Sequence, residues 1–313
     1  VIQLIDFNVS KFNSNYNFFI KGVSNAQYPK SNTMLFAAGK LSKHLINLHN
    51  VEECLVFIEK EMYVDKNLFE KHCIVESINP ALEYILTVAP FVEKLIEENR
   101  GKKYWRTSEG YLLGENVRLG KNVFIEPECL IDHGSVIGDN TVILSGAIIR
   151  GNVIIGNKCI IREKANIGGY GFTMAKDQND NNIRIPSLGG VRIGDNVEIG
   201  AFATICSGTG NPTIIEDYVK IDDHVHISHD DFIGKNSILS AGSILAGYVE
   251  IGEHVHISAG ASIKNRIRIG SDATIGMAAR IYKDVKKGQT VLNEPAVTLD
   301  EMAQRKILLN KLR

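Results

Sequence analysis

Between Leu113 and Ile281 an aliphatic residue returns at every sixth position, and that spacing leaves few folds open to the chain. The column runs Leu113, Leu119, Ile125, Ile131, Ile137, Ile143, Ile149, Ile155, Ile161 and Ile167. It resumes at Ile193, Ile199 and Ile205, and again from Ile215 to Ile281 with only Leu239 and Leu245 replacing isoleucine. A period of six is too short for a helix pair. A sandwich or hairpin array needs two-residue alternation with turns every about 8–12 residues. Six-residue units therefore read as a parallel β-solenoid, with one short strand and one corner per unit and three units per coil. Residues eighteen apart become vertical neighbours, about 4.8 Å from each other.

The repeat breaks twice. Ile167 and Ile193 are 26 residues apart where six are expected, and Ile205 and Ile215 are ten apart. If the face order survives both breaks, Ile167, Ile205, Ile227 and Leu245 lie on one face of successive coils. Both insertions then leave from one vertical edge, and His229 lies on that edge two residues after Ile227. Long excursions from a solenoid tend to cluster on its binding side. His224, His226, His254 and His256 fall at other phases, and His133 shares the phase several coils away. The histidines therefore do not gather as metal ligands would, and no metal site is expected.

Mainly β overall, the chain divides into an α/β domain over residues 1–105, a solenoid over 106–285 carrying a loop at 168–190, and an extension with a helix over 286–313. In the first part Lys40 to Asn50 reads as a short amphipathic helix, Leu55–Ile58 and Cys73–Val75 as strands. Asn79-Pro80 starts a helix through Asn99 that Pro90 should kink or split. At the far end Thr298-Leu-Asp-Glu301 is a capping box for a helix with Leu299, Met302, Ile307, Leu308 and Leu312 on its apolar side, expected to cap the last coil. A formal charge of −1 argues against nucleic acid as partner. The five widely spaced cysteines suit reduced thiols in a cytoplasm. The sequence holds no apolar run long enough for a membrane span.

Three segments make the pattern more specific: IGGYGFTMAKD from Ile167, RIPSLGGVRIGDNVEIGA from Arg184, and VKIDDHVHISHDDFIGKNSILSAGSILAG from Val219. Together they resemble the UDP-3-O-acylglucosamine N-acyltransferases of lipid A assembly. The resemblance implies a left-handed β-helix, a homotrimer with an acyl thioester in the grooves between subunits, and acyl transfer to the amine of a nucleotide-linked amino sugar. It also implies that His229, in Ile227-Ser-His229-Asp230, is the catalytic base, that Asp222 orients it, and that Gly247 donates to the oxyanion. Asp230 and Asp231 are local competitors of Asp222. The sequence departs from the family where its uridine clamp appears as Leu35, Ala38 and Leu41, and where a second family histidine appears as Arg266.

His is the side chain suited to general-base work near neutral pH. Gly247 follows His229 by eighteen residues and should lie one coil above it, its N–H unobstructed by a Cβ. Tyr170, Phe172 and Met174 are available to cover an acyl donor, and Asn79 and Tyr84 to contact a nucleotide. Lys264, Arg266, Arg280, Lys283, Lys286 and Lys287 crowd the last coils and suit the phosphates of coenzyme A. The resulting expectation is an acyltransferase acting on a UDP- or dTDP-linked amino sugar, with acyl-CoA, or acyl carrier protein, as co-substrate and no bound cofactor. The lipid A enzyme itself and a non-catalytic binding solenoid are the alternatives.

Overall fold

A computed structural model of the chain describes residues 6–293 and 297–311. From Leu112 onward strands of two to five residues assemble into three parallel sheets of nine, nine and eight strands, wound as one triangular coil, and Trp105–Arg106 adds a tenth, antiparallel strand to one of them. Pairing follows the expected register: Phe124 lies against Val142, Leu130 against Ile148 and His226 against Ile244, each eighteen apart. The insertions only lengthen the step, since Ile167 pairs with Ile205 and Ile205 with Ile227. From Ile125 onward every residue of the aliphatic column is buried, while Leu119 in the first coil stays exposed. Ile131, Ile149, Ile167, Ile205, Ile227 and Leu245 are all fully buried, each contributing about 1.5–3 kcal/mol of apolar burial.

The corners explain the polar residues between strands. Each turn needs one residue in the left-handed region, where Asn is better tolerated than most. Asn122, Asn140, Asn196 and Asn236 fill one such column with φ of 54–59°. At the edge where both insertions leave, joining the ten-stranded to the eight-stranded sheet, Asp230, Tyr248 and Arg266 occupy the equivalent positions at φ 59°, 63° and 64°.

The first part of the chain carries a four-stranded parallel sheet of Gly22–Val23, Thr33–Ala37, Leu55–Glu59 and Cys73–Ser77, followed by the helix Pro80–Gly101. Gly39–Asn50 is wound as 3₁₀ turns. Pro90 does not split the long helix. Its missing N–H frees only the carbonyl of Leu86, a residue 55% exposed, where water can serve it. Trp105–Arg106 folds back antiparallel on Leu112–Leu113 and closes one end of the ten-stranded sheet.

The far end differs from expectation. The coil continues beyond 285: Val285 bridges to Ile269, and Thr290–Val291 pairs with Thr274–Ile275. The capping box forms, with Thr298 N–H donating to Glu301 Oε2 at 2.8 Å and Glu301 N–H to Thr298 Oγ1 at 3.3 Å, and opens the helix Leu299–Lys311. That helix does not lay its apolar side on the last coil, because Leu299, Met302 and Ile307 stay exposed. The Leu308 side chain and Leu312 lie outside the described residues. Among the described residues no helix is long and apolar enough to cross a membrane.

Candidate active site

His229 follows the strand His226–Ile227 on the edge from which both insertions depart. Its imidazole is almost wholly buried, yet only Nδ1 finds a protein partner among the described residues, the Asp230 Oδ2 at 3.0 Å. With Nδ1–H donating to a carboxylate, Nε2 keeps its lone pair and is the basic nitrogen. The left-handed φ of Asp230 turns its side chain back beside its neighbour.

Asp230 is held from three directions and its side chain is fully buried. Thr209, in the second insertion, donates to Oδ2 through N–H at 2.8 Å and Oγ1 at 2.7 Å. Asn25, in the first part of the chain, donates from Nδ2 to Oδ1 at 3.1 Å. The Thr209 hydroxyl also meets the Tyr248 hydroxyl at 3.1 Å, and the Tyr248 ring stands edge-on to the imidazole with centroids 5.2 Å apart. Burial first, then the Asp230 charge, push the Tyr248 phenol far above its usual range. The neighbouring Asp231 is different in kind: fully buried, it accepts N–H groups from Ser228 and Val249, and desolvation raises its pKa well above the ordinary carboxylate value.

Asp222 does not orient His229 within the chain. It follows Ile221 of the nine-stranded sheet, so it occupies another corner, where it accepts the N–H groups of Ala241 and Asp223. The partner carboxylate is Asp230.

Two glycines pack closely against His229. A Cβ on Gly247 would stand 2.4 Å from His229 Cε1 and 2.5 Å from Nε2, and one on Gly171 would stand 2.7 Å from His229 Cβ. The Gly247 N–H has no acceptor among the described residues, whereas the N–H groups on either side of it, Ala246 and Tyr248, donate to Ile263 and His229 carbonyls. A free lone pair and a free N–H therefore stand side by side.

The remaining expected residues scatter. Tyr170 and Phe172 are exposed, the latter under the Arg184 guanidinium at 5.4 Å. Met174 belongs to a hairpin, Met174–Lys176 against Asn182–Arg184, and Ile185 at its foot packs into the core of the first domain. The loop is thus docked on that domain. Asn79 is occupied as a helix cap, accepting from Leu82 N–H and donating to Lys176 O. Tyr84 is buried against Phe36, so it is no surface contact for a nucleotide. Of the basic residues, Lys264, Arg266 and Lys283 rise along the His229 edge. Arg280 lies in a strand of the ten-stranded sheet, and Lys286 and Lys287 turn the next corner, where Lys287 pairs with Asp272 at 3.4 Å. Arg266 stacks over Tyr248 at 4.5 Å and, with Arg268, Lys43 and His44, lines a cleft of ≈ 660 Å³ between the solenoid and the first domain.

Comparison with known proteins bears on the fold that carries these residues. The family described as bacterial transferase hexapeptide (six repeats) matches residues 134–169. The coil is the left-handed β-helix, the fold of solved UDP-N-acetylglucosamine acyltransferases. That of Francisella novicida is 29% identical with a TM-score of 0.55, over 64% of this chain and 73% of that one. That of Bacteroides fragilis is 28% identical with a TM-score of 0.55, over 65% and 78%. Among curated proteins, UDP-3-O-acylglucosamine N-acyltransferase 2 of Legionella pneumophila strain Philadelphia 1 is 41% identical over 44% of this chain and 40% of its own length. The enzyme of Methylobacterium sp. strain 4-46 is 31% identical over 47% and 42%. The chain thus matches about two fifths of the length of these curated relatives.

The sequence does not by itself point to Asn25, Thr209 or Tyr248. Tyr248 was within reach, since it follows Asp230 by eighteen residues. Asn25 was not: it lies 205 residues from the carboxylate it holds. Among the described residues no group of three or more His, Cys, Asp and Glu side chains is arranged to hold a metal ion.

Proposed function

We propose that the chain is an N-acyltransferase that moves an acyl group from a thioester, acyl-CoA or acyl carrier protein, to the amine of a UDP- or dTDP-linked amino sugar, and that it works as a homotrimer. The observation that carries this reading is the pairing of a His229 Nε2 free of protein partners with the free Gly247 N–H, on the edge where both insertions converge. The relatives' names, which specify acyl transfer to nucleotide-linked glucosamine, support it.

In the reaction the acceptor nitrogen attacks the thioester carbonyl carbon, and a C–N bond forms. His229 Nε2 takes a proton from the amine, and the Asp230 carboxylate stabilises the imidazolium through Nδ1–H. The carbonyl oxygen becomes an oxyanion that the Gly247 N–H can receive. Collapse breaks the C–S bond, and the thiolate leaves with the proton that His229 returns. Arg266, Lys43 and Arg268 give the cleft an excess of positive charge beside Asp284 and Glu250, which suits the diphosphate of a nucleotide sugar. That assignment takes Arg266 away from coenzyme A and leaves Lys264 and Lys283 for the thioester's phosphates.

The relatives' names also favour a second reading, UDP-3-O-acylglucosamine N-acyltransferase itself. One assay separates the two: thiol release from short-chain acyl-CoAs against a panel of UDP- and dTDP-amino sugars, beside a hydroxyacyl carrier protein with UDP-3-O-acylglucosamine. Turnover in the first set supports the proposal, turnover only in the second supports the alternative, and no turnover in either rejects both.

A further inference from the structure

Among the described residues the first domain hydrogen-bonds the His229–Asp230 pair through the Asn25 side chain, and that contact is built with a fixed polarity. The Asn25 Oδ1 accepts the N–H of Tyr28 at 2.9 Å, so its amide cannot flip without losing that turn. Nδ2 is thereby aimed outward at Asp230 Oδ1, 3.1 Å away. The contact is anchored around it. Asn211 Nδ2 donates to Tyr28 O at 2.7 Å, and Gly210 approaches Ser24 so closely that a Cβ would stand 2.5 Å from its carbonyl carbon. Gln27 and Tyr28 both hydrogen-bond Glu250 of the solenoid.

We infer that Asn25 is a positioning residue for the His229–Asp230 pair, by which the first domain sets the alignment and the proton affinity of the base. Asp230 Oδ2 is shared by His229 Nδ1 and two Thr209 donors, so Oδ1 would be without a partner if Asn25 were removed. A carboxylate held on both oxygens cannot swing away from the imidazole. The other groups around the pair are Tyr248 and Arg266 from the coils above, Asp231 and His226 on the same coil, and Tyr84 from the long helix. None of them donates to Oδ1. The segment Gln27–Lys30 that follows Asn25 also lines the cationic cleft, which puts a ligand there one turn of chain from the dyad.

Two variants of the full chain test this. Asn25→Asp keeps an acceptor for Tyr28 N–H but sets a second carboxylate against Asp230, and Asn25→Leu removes both bonds at similar size. The primary readout needs no turnover: the His229 imidazole is titrated by ¹⁵N-edited NMR, its signal assigned by its loss in His229→Ala. Asn25→Asp should move the His229 midpoint upward by about half a unit or more, because added negative charge favours the imidazolium. Asn25→Leu should lower kcat about 10-fold with the acyl-donor KM within about threefold, the scale of one lost bond to a charged group. Wild-type titration curves in both variants overturn the inference, whatever the enzyme's substrate proves to be. The kinetic arm alone rests on the acyl-transfer reading, so absence of turnover in the wild type counts against that reading, while the titration still decides the role of Asn25.

Discussion

Replacing Gly247 with Ala tests the site most directly, because the structure fixes what the added methyl must meet. Its Cβ would lie 2.4 Å from His229 Cε1, 2.5 Å from Nε2 and 3.0 Å from Nδ1, where ordinary contact begins at 3.4 Å. The ring must retreat by about 1 Å, and a misplacement of that size costs about 10² in rate. Gly171 already packs close to His229 Cβ, Cγ and Cδ2, and Nδ1 is tied to a fully buried carboxylate, so retreat breaks the alignment. Loss of access to the Gly247 N–H adds to this, and the combined effect on kcat should be about 10²–10³, equal to about 2.7–4 kcal/mol. Overpacking of this kind costs about 1–3 kcal/mol of stability, a lower Tm rather than an unfolded chain. The assay is single-turnover acyl transfer followed by thiol release, with Tm measured on the same samples. Gly101→Ala, where a Cβ meets nothing within 4 Å, is the control. A Gly247→Ala enzyme whose kcat stays within about threefold of wild type would refute the placement of the base and the oxyanion donor together.

Asp230→Asn keeps a hydrogen-bonding group beside Nδ1 but removes the charge that favours the imidazolium, so kcat should fall about 10²-fold or more while the fold is kept; a loss under about threefold would return the orienting role to another residue. Burial pushes the Cys54, Cys73, Cys159 and Cys206 thiols up to about 11, which leaves about one thiol in a thousand ionised at pH 8. An aromatic disulfide reagent should therefore label none of these four in the native protein within minutes and all five cysteines after denaturation. Burial lowers the His72 pKa below its ordinary 6.5, with Nδ1 accepting Cys54 N–H and Nε2 paired to Leu48 O. Between the folded pKa and 6.5 the unfolded chain binds the extra proton, so stability is full above pH 6.5 and is lost as pH falls from there. Tm measured from pH 7.5 to 5 should drop, and His72→Gln should flatten the slope; an unchanged slope in that variant would assign the effect elsewhere.

The solenoid was legible because its two periods act on every residue. Six positions set inside from outside, and eighteen set vertical neighbours, so the face order, the departure edge of both insertions and the stacking of Gly247 on His229 all followed by counting. The same counting puts Asp222 on another corner, since Ile221 and Ile227 belong to different sheets. The family resemblance pointed the other way, and the phase was the better guide within this chain. Lys286 and Lys287 illustrate the same point: crowding in sequence at the last coil separates in space once the corner is turned. What counting could not reach lies off the lattice. Thr209 sits in an insertion with no phase, Asn25 in a domain with no repeat, and the hairpin Met174–Arg184 in a loop whose docking depends on the apolar side chain of Ile185.

The spacing alone does not make a site, and the chain contains its own control. His133 and Gly151 repeat the eighteen-residue pairing on the same edge, on the two coils below the one from which the first insertion leaves. There His133 Nδ1 accepts the Glu115 N–H at 2.7 Å, so its lone pair is used in the backbone, and its Nε2 is buried without a partner beneath the Tyr104 ring at 4.4 Å. The Gly151 N–H is likewise taken, donating to Asp132 Oδ2 at 3.3 Å. Both groups that are free at His229 and Gly247 are thus consumed at His133 and Gly151. The difference lies in what approaches the edge. A second insertion and a domain outside the repeat deliver Thr209 and Asn25 to a carboxylate, which holds Nδ1 and frees Nε2. The lattice supplies distance between the reacting groups, and the departures from it supply polarity. The contacts made by the first domain can therefore change while the His229–Gly247 spacing stays fixed by the coil.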